Sequence, residues 1–458
     1  MKFKKIVVSL FAAGMLASPL VHATNGMLME GYGPISVGMG GASMAFDNGT
    51  AGMANNPATL GLAADGTSRL DVALGGLHPD IVSRMAGMPD ANSGGTAYYM
   101  PAAGWVKKQG ALAYGVGVFA QGGMGTEYTA TDWIGAGSGR QSRSEVSVGN
   151  LIVPVSYDVT PDFNIGGSLD LVWSGMDLQM AMSSAQMGGL AASGNLTAGG
   201  AGAAGLPFFL GGATNVGYFN FSNGSSFTGK ASATGWAGKL GMTYKVNKQL
   251  TMGASYHAKT SLGDMTTGGA QMLMIDNAGT MGGAAGTAYT LTGDISVVNF
   301  QFPETYGVGL AYQATDDLMV VADYKRIGWS KVMKDFHMTF SSADMGGLNM
   351  DMRMPQNWKD QDVFNIGFAY RTSPALTLRA GMNLAGNPVP DNTVNPLFPA
   401  IVKDHYTIGA GYAFDKVSEV NASLVYAPKV TATAPAASGG YSIDHSQMNW
   451  QLMYTHRL

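Results

Sequence analysis

Two short strings hold the residue types of nucleophilic catalysis. Asp444-His445-Ser446 sets an acid, a base and a hydroxyl in a row, and Asp404-His405 repeats the acid and base. A working triad needs its three side chains to converge on one point. Neighbours on an extended strand point to opposite faces, so neither string can converge locally. No G-x-S-x-G elbow is present. Gly33 to Gly41, "GPISVGMGG", has the glycines of a phosphate loop but lacks its Lys-Ser/Thr ending and its βαβ setting. With no cysteine in the chain, thiolate catalysis and cysteine-ligated metal are excluded. No His, Asp or Glu spacing suits a metal. The expectation is a protein that is not an enzyme and has no cofactor.

The chemistry that remains is that of surfaces. Charged residues make up 12% of the 458, about half the usual share. Glycine supplies 66 positions, and 46% of residues are hydrophobic. The chain opens with Lys2, Lys4 and Lys5, then an apolar run from Ile6 to Leu20, then Val21-His22-Ala23. This is the pattern of a secretory signal peptide over residues 1–23. The run is short and is interrupted by Gly14 and Pro19, which argues against a membrane anchor. The formal charge of −4 becomes more negative once those lysines leave, so no nucleic-acid partner is expected. An exported, charge-poor, glycine-rich chain without a later apolar run of spanning length has one membrane option, the closed β-barrel.

Periodicity supports that option. In "ALTLRAGMNLAG", Leu376, Leu378, Ala380, Met382 and Leu384 fall on one face, and Thr377, Arg379, Gly381 and Asn383 on the other. "HYTIGAGYAF" and "VFNIGFAYR" alternate in the same way. Short links such as "TPD" at 160–162 and "TSP" at 372–374 trade places with long ones, the layout of an outer-membrane barrel. The spacing predicts an all-β, 14-stranded antiparallel transmembrane β-barrel over 65–458. Its strands include 249–264, 290–313 and 317–334, the second kept whole despite Pro303. Long extracellular loops are expected near 179–231 and 265–289.

The chain resembles the FadL/TodX family of outer-membrane channels for long-chain fatty acids and aromatic hydrocarbons. The resemblance rests on "GMGGAS…NNPATLGL" near the start, "PETYGVGLAYQATDDLMVVADYKRIGWS" in the middle, and "LRAGMNLAGNPVPD" with "FPAIVKDHYTIGAGYAF" near the end. It implies a lumen plugged by an N-terminal hatch, here 24–64, and passive uptake of a hydrophobic small molecule. It also implies a pocket beside the hatch N-terminus, at Asn25 and Met27, and lateral exit into outer-membrane lipid. A monomer is expected. Asn55, Asn56, Pro57 and Ala58 match the hatch motif; Pro and Asn can shape an irregular segment without a ladder.

Other residues are assigned by their chemistry. Leu206, Phe208, Phe209, Leu210, Phe219 and Phe221 form an apolar loop cluster, either a landing site or a cap that buries itself. Alternation points Asp170, Lys239, Asp323, Lys325, Arg371 and Arg379 inward. Arg379, and more weakly Lys359, could meet a fatty-acid carboxylate; a buried Arg379 could instead brace the wall. The fifth strand ends "VWSGMDL" without a basic residue, which leaves a neutral ligand open. Gly115 and Gly117 could mark the strand kink of a lateral gap or simply make room for the plug. Fatty-acid uptake is the leading expectation. Hydrocarbon uptake by the same route is the alternative, and a general porin the second alternative.

Overall fold

The computed structural model describes residues 25–221 and 231–458. The expected signal peptide, the first hatch residue and residues 222–230 lie outside them.

The wall is antiparallel and closes on itself. The strand Ser68–Met85 pairs along its length with Tyr441–Arg457, from Arg69 opposite Arg457 to Met85 opposite Tyr441. On its other edge it pairs with Tyr98–Gln109, and the wall continues through Leu112–Tyr128, Ser142–Asp158 and Phe163–Ser183. It then skips an excursion, because Phe163–Ser183 pairs next with Ala231–Lys245. Two more excursions are bypassed where Leu250–His257 meets Thr305–Thr315 and where Leu318–Ile327 meets Gln361–Arg371. The circuit then runs through Leu376–Ala385, His405–Ala413 and Ser418–Thr433.

The strand list of the expected 14-stranded barrel is corrected. The described residues form one sheet of 22 strand segments. The run 290–313 is broken at Pro303 into Thr287–Val297 and Thr305–Thr315, which pair with different partners. The run 249–264 is likewise split into Leu250–His257 and Ser261–Leu262. Pro303 cannot donate to a ladder, so the first of these runs leaves the sheet there. The expected loop near 265–289 is also corrected. Met265–Asp276 and Thr287–Val297 form a hairpin that extends the sheet at the long-loop end. Asp335–Ser342, Leu348–Pro355, Leu196–Gly199 and Val216–Asn220 join that tier.

The wall is inverted relative to a soluble protein. Along the first strand Leu70, Val72 and Leu74 are exposed while Arg69 and Asp71 are buried; Val72 is 51% exposed and Asp71 2%. Phe364, Ile366 and Phe368 face out opposite the buried Asn365. Apolar outside and polar inside is the pattern of a sheet whose outer solvent is lipid.

The lumen holds the hatch. Pro34–Val37 and Gly52–Asn55 are single helical turns, and Pro57–Leu62 is a 3-10 segment. Every residue from Pro34 to Phe46 is buried, although the segment forms no ladder with the wall. Wall glycines seat it. A side chain at Gly381 would strike the Met39–Gly40 peptide, and one at Gly253 would strike the Met44 carbonyl. Gly40 is itself in the left-handed region at φ 71°, pressed against Met382 of the wall. Two apolar patches fill the remaining contact: Ile35, Met39 and Phe46 against Val321 and Ala369, and Met53 and Leu60 against Val106 and Ile152.

Candidate functional site: a plugged lumen and two cavities beside the hatch

The Asn-Pro motif turns the hatch by side-chain hydrogen bonds. Asn55 Oδ1 accepts the Tyr32 N–H at 3.2 Å, and Asn55 Nδ2 donates to the Tyr32 carbonyl at 2.9 Å. The Asn55 carbonyl meets His257 Nε2 of the wall at 2.6 Å. Asn56 Nδ2 donates to Met44 O at 2.7 Å and to Met242 O of the wall at 3.3 Å, while its Oδ1 caps the Ala58 N–H at 3.1 Å. Pro57 opens the 3-10 segment, where its missing N–H costs nothing. The Ala58 carbonyl accepts from Ser156 Oγ at 3.3 Å.

Inward charges anchor the same segment. Asp323 accepts the Ser43 and Met44 N–H groups at 2.6 and 3.2 Å. Lys325 Nζ donates to Glu30 O and Gly41 O at 3.0 and 3.1 Å. Lys239 and Asp170 pair with each other inside the lumen. Glu30 is fully enclosed, with its Oε2 3.8 Å from His405 Nε2. Burial pushes the Glu30 carboxyl up to about 7, against the lowering pull of its own backbone hydrogen bond and of Lys325. Arg379 is buried and donates to Asn421 Oδ1 at 2.9 Å, packed beside Gly411. Arg371 is not inward: it sits exposed at a short turn, bonded to Asp317 and to the Asp316 carbonyl. It is the last residue of the strand Gln361–Arg371, where the inward face opens to solvent at the turn. Lys359 is exposed, and its N–H donates to Pro388 O.

Two cavities flank the hatch. One, about 50 Å³, is lined by Asn25, Leu28, Met29, Tyr32, Asn55, His257 and Lys325 among others. The other, about 40 Å³, lies between Met29, Tyr32 and Thr50 of the hatch and Ala73, Met100, Ala102, Phe119 and Ala120 of the wall. Asn25 thus reaches the first cavity. Met27 is buried in the apolar cluster above it. Leu28 forms a bridge to Gly122 of the wall, which ties the hatch N-terminus to one strand.

That strand leaves its neighbour. Pairing between Tyr98–Gln109 and Leu112–Tyr128 stops at Ala102 opposite Phe119. On the other edge the register slips between Ala120 and Gly122, so Gln121 is a bulge. Beyond it the loop at Ser93 and Gly94 reaches the strand again: the Gly94 N–H donates to Glu127 O at 2.7 Å and the Glu127 N–H to Ser93 Oγ at 3.1 Å. This stretch of wall without ladder bonds, here termed the window, lies beside the smaller cavity, and Tyr98 reaches across it toward Gly125. Gly115 and Gly117 lie below it in paired ladder, opposite Val106 and Gly104. Side chains there would press on Met53 of the hatch, so these two glycines admit the plug.

The apolar loop cluster folds inward. Leu206, Phe209, Phe219 and Phe221 are buried, and Leu210 packs against them. They join Met176, Met187, Met272 and Met350 in one large cluster over the long-loop end. Phe208 alone of the six stands out, 65% exposed. The triad-type string is dispersed: Asp444 binds Arg84 and Thr431, His445 Nδ1 meets Pro399 O, and Ser446 faces Asp80. Sequence reasoning missed Tyr32, Met29 and Gln121. Tyr32 lies in "EGYGP", where an aromatic between two glycines was the available signal.

Comparison with known proteins places this geometry. Residues 28–450 match the family described as outer membrane protein transport protein (OMPP1/FadL/TodX). The crystal structure of the P. putida toluene transporter TodX is 32% identical, covers 94% of this chain and 99% of its own, and superposes with a TM-score of 0.83. The Ralstonia pickettii toluene transporter TbuX is also 32% identical over 94% of this chain and 99% of its own, at a TM-score of 0.76. An uncharacterized Chlorobium limicola protein, encoded upstream of a phosphoenolpyruvate carboxykinase gene, is 50% identical over 76 residues; the match spans 17% of this chain and 37% of that protein. A family match across nearly the whole chain, on a closed inverted barrel with a plugged lumen, settles the assignment: the chain belongs to the OMPP1/FadL/TodX family of outer-membrane transport proteins, channels for hydrophobic compounds.

Proposed function

We propose that this channel admits neutral hydrophobic molecules, with monoaromatic hydrocarbons ahead of long-chain fatty acids, by passive diffusion and without a catalytic step. The ligand would land near the Phe208 rim, pass beside the hatch N-terminus and leave through the window between Tyr98–Gln109 and Leu112–Tyr128. The observation that carries this reading is the placement of the basic residues. Arg379 and Lys359 line neither cavity, and Lys325, which lines one, already holds two hatch carbonyls. A carboxylate brought there would have to displace those bonds or remain unpaired in a buried site, which is costly. The likeness to two toluene transporters supports the same choice.

A second reading keeps fatty acids. Release of Lys325 from Glu30 and Gly41 would free an ammonium in the hatch cavity. Uptake of labelled toluene and labelled oleate, in a strain lacking its own transporter of such compounds, separates the two. Protein-dependent toluene uptake exceeding that of oleate is expected. Oleate uptake alone would give the site to fatty acids, and equal uptake with and without the protein would overturn transport of either. In planar bilayers the plugged channel should conduct little, whereas a porin would conduct steadily.

A further inference from the structure

We propose that Tyr32 is the shutter between the two cavities, and that its ring sets the size of neutral molecule that reaches the window. This rests on the uptake reading above. Tyr32 and Met29 are the residues that line both cavities. Neither cavity, at about 50 and 40 Å³, holds an aromatic ring, since an apolar cavity that binds benzene is about 150 Å³. A molecule moving from one to the other must displace what stands between them.

The construction of this residue separates a fixed backbone from a movable ring. The Tyr32 N–H and carbonyl are both held by the Asn55 side chain. Gly31 and Gly33 flank it, the latter at φ 79°, and neither adds a side chain that would wedge the ring. The ring's own polar anchor is one hydrogen bond, from Tyr32 Oη to the Gln121 carbonyl at 3.0 Å. Gln121 is the bulged residue at the edge of the window, and an extra residue in a bulge is left out of the ladder. The shutter is therefore latched to the very point where the strand departs from its neighbour. Breaking one neutral bond and turning the Tyr32 ring, with the flexible Met29 side chain yielding beside it, joins the cavities without moving the hatch backbone.

The test uses full-length protein in the transporter-deficient strain, with labelled toluene as the small probe and labelled biphenyl as the large one. Tyr32→Phe removes the latch and keeps the ring; toluene uptake should rise by about 5-fold, the factor expected for one neutral hydrogen bond. Tyr32→Ala removes the shutter, and the biphenyl-to-toluene ratio should rise about 10-fold, as a contact worth one decade would give. Tyr32→Trp should lower that ratio. A ratio unchanged in both the Ala and Trp proteins would overturn the shutter, provided that they run as folded barrels on unheated gels. If Tyr32→Ala fails to fold, the Phe and Trp proteins decide alone: a Phe rate and a Trp ratio equal to wild type overturn it. Wild-type protein that carries neither probe overturns the uptake reading and the shutter with it. Wild-type toluene uptake with an unchanged ratio overturns the shutter only.

Discussion

Asn55 grips Tyr32 from both sides, accepting its N–H at 3.2 Å and donating to its carbonyl at 2.9 Å, so two residues 23 apart behave as one rung. The rung replaces a ladder in a segment that has none. Asn55→Ala leaves two backbone groups without their partner, at about 1–3 kcal/mol for each buried group left unpaired. Amide exchange at Gly31–Gly33 should accelerate on the order of 10-fold or more, following about 1.4 kcal/mol per decade. Exchange mass spectrometry on detergent-purified protein reads this directly, and wild-type protection at those amides would contradict the rung.

The hatch sits where wall glycines permit. Gly253→Val and Gly381→Val each drive a side chain into the hatch backbone. Both proteins should still insert as barrels but fail to seat the hatch, so that steady conductance in planar bilayers rises well above that of wild type. Gly188 has open space around it, and Gly188→Ala should leave conductance unchanged. Closed channels from both valine proteins would show that the glycines do not seat the plug.

Asp323 receives two consecutive N–H groups, of Ser43 and Met44. Asp323→Ala removes Oδ2, the one oxygen that accepts both, and should loosen the hatch by a few kcal/mol, on the order of 1–3 per orphaned group. Asp323→Asn keeps one acceptor oxygen and should cost less. The order wild type, Asn, Ala in resistance of the hatch to protease is the expected result; equal resistance would remove Asp323 from the hatch anchor.

Glu30 makes seating pH-dependent. Its carboxyl is raised from 4.5 to about 7 by burial, with the hatch backbone and Lys325 opposing. Between those values the seated hatch holds a proton that the unseated hatch has lost. The contribution of Glu30 to the stability of the seated form therefore falls as pH rises through that window, and is flat above and below it. Relative to Glu30→Gln, whose side chain does not titrate, wild-type protease sensitivity of the hatch should increase from pH 5 toward about 7 and then level off. Parallel pH profiles of the two proteins would show that Glu30 ionises freely.

Much of this molecule was legible before its structure. Period-two alternation determined which residues face lipid: Phe364, Ile366, Phe368 and Leu378 stand out while Arg379 and Asn383 are buried, as strands of a lipid-facing barrel require. Composition determined that the glycine-rich segment around Asn55-Asn56-Pro57 could lie inside, because a slim chain without Lys or Arg can be buried in a polar lumen without an unpaired ammonium group. Alternation fixes the face of a residue, but not its partner or the height at which its strand stops. Arg371 was thus placed inward by alternation, whereas it is the last residue of its strand and sits exposed at the turn, and Gly115 and Gly117, open to a kink or to room for the plug, lie against Met53 below the bulge at Gln121. Only tertiary contacts between separate segments decided that Arg379 is taken by Asn421, 42 residues away, that the phenylalanine loop folds inward, and that Tyr32 meets Gln121, 89 residues away, at the edge of the window. Those are matters of register and packing, set by which side chains arrive together, and no local pattern carries them.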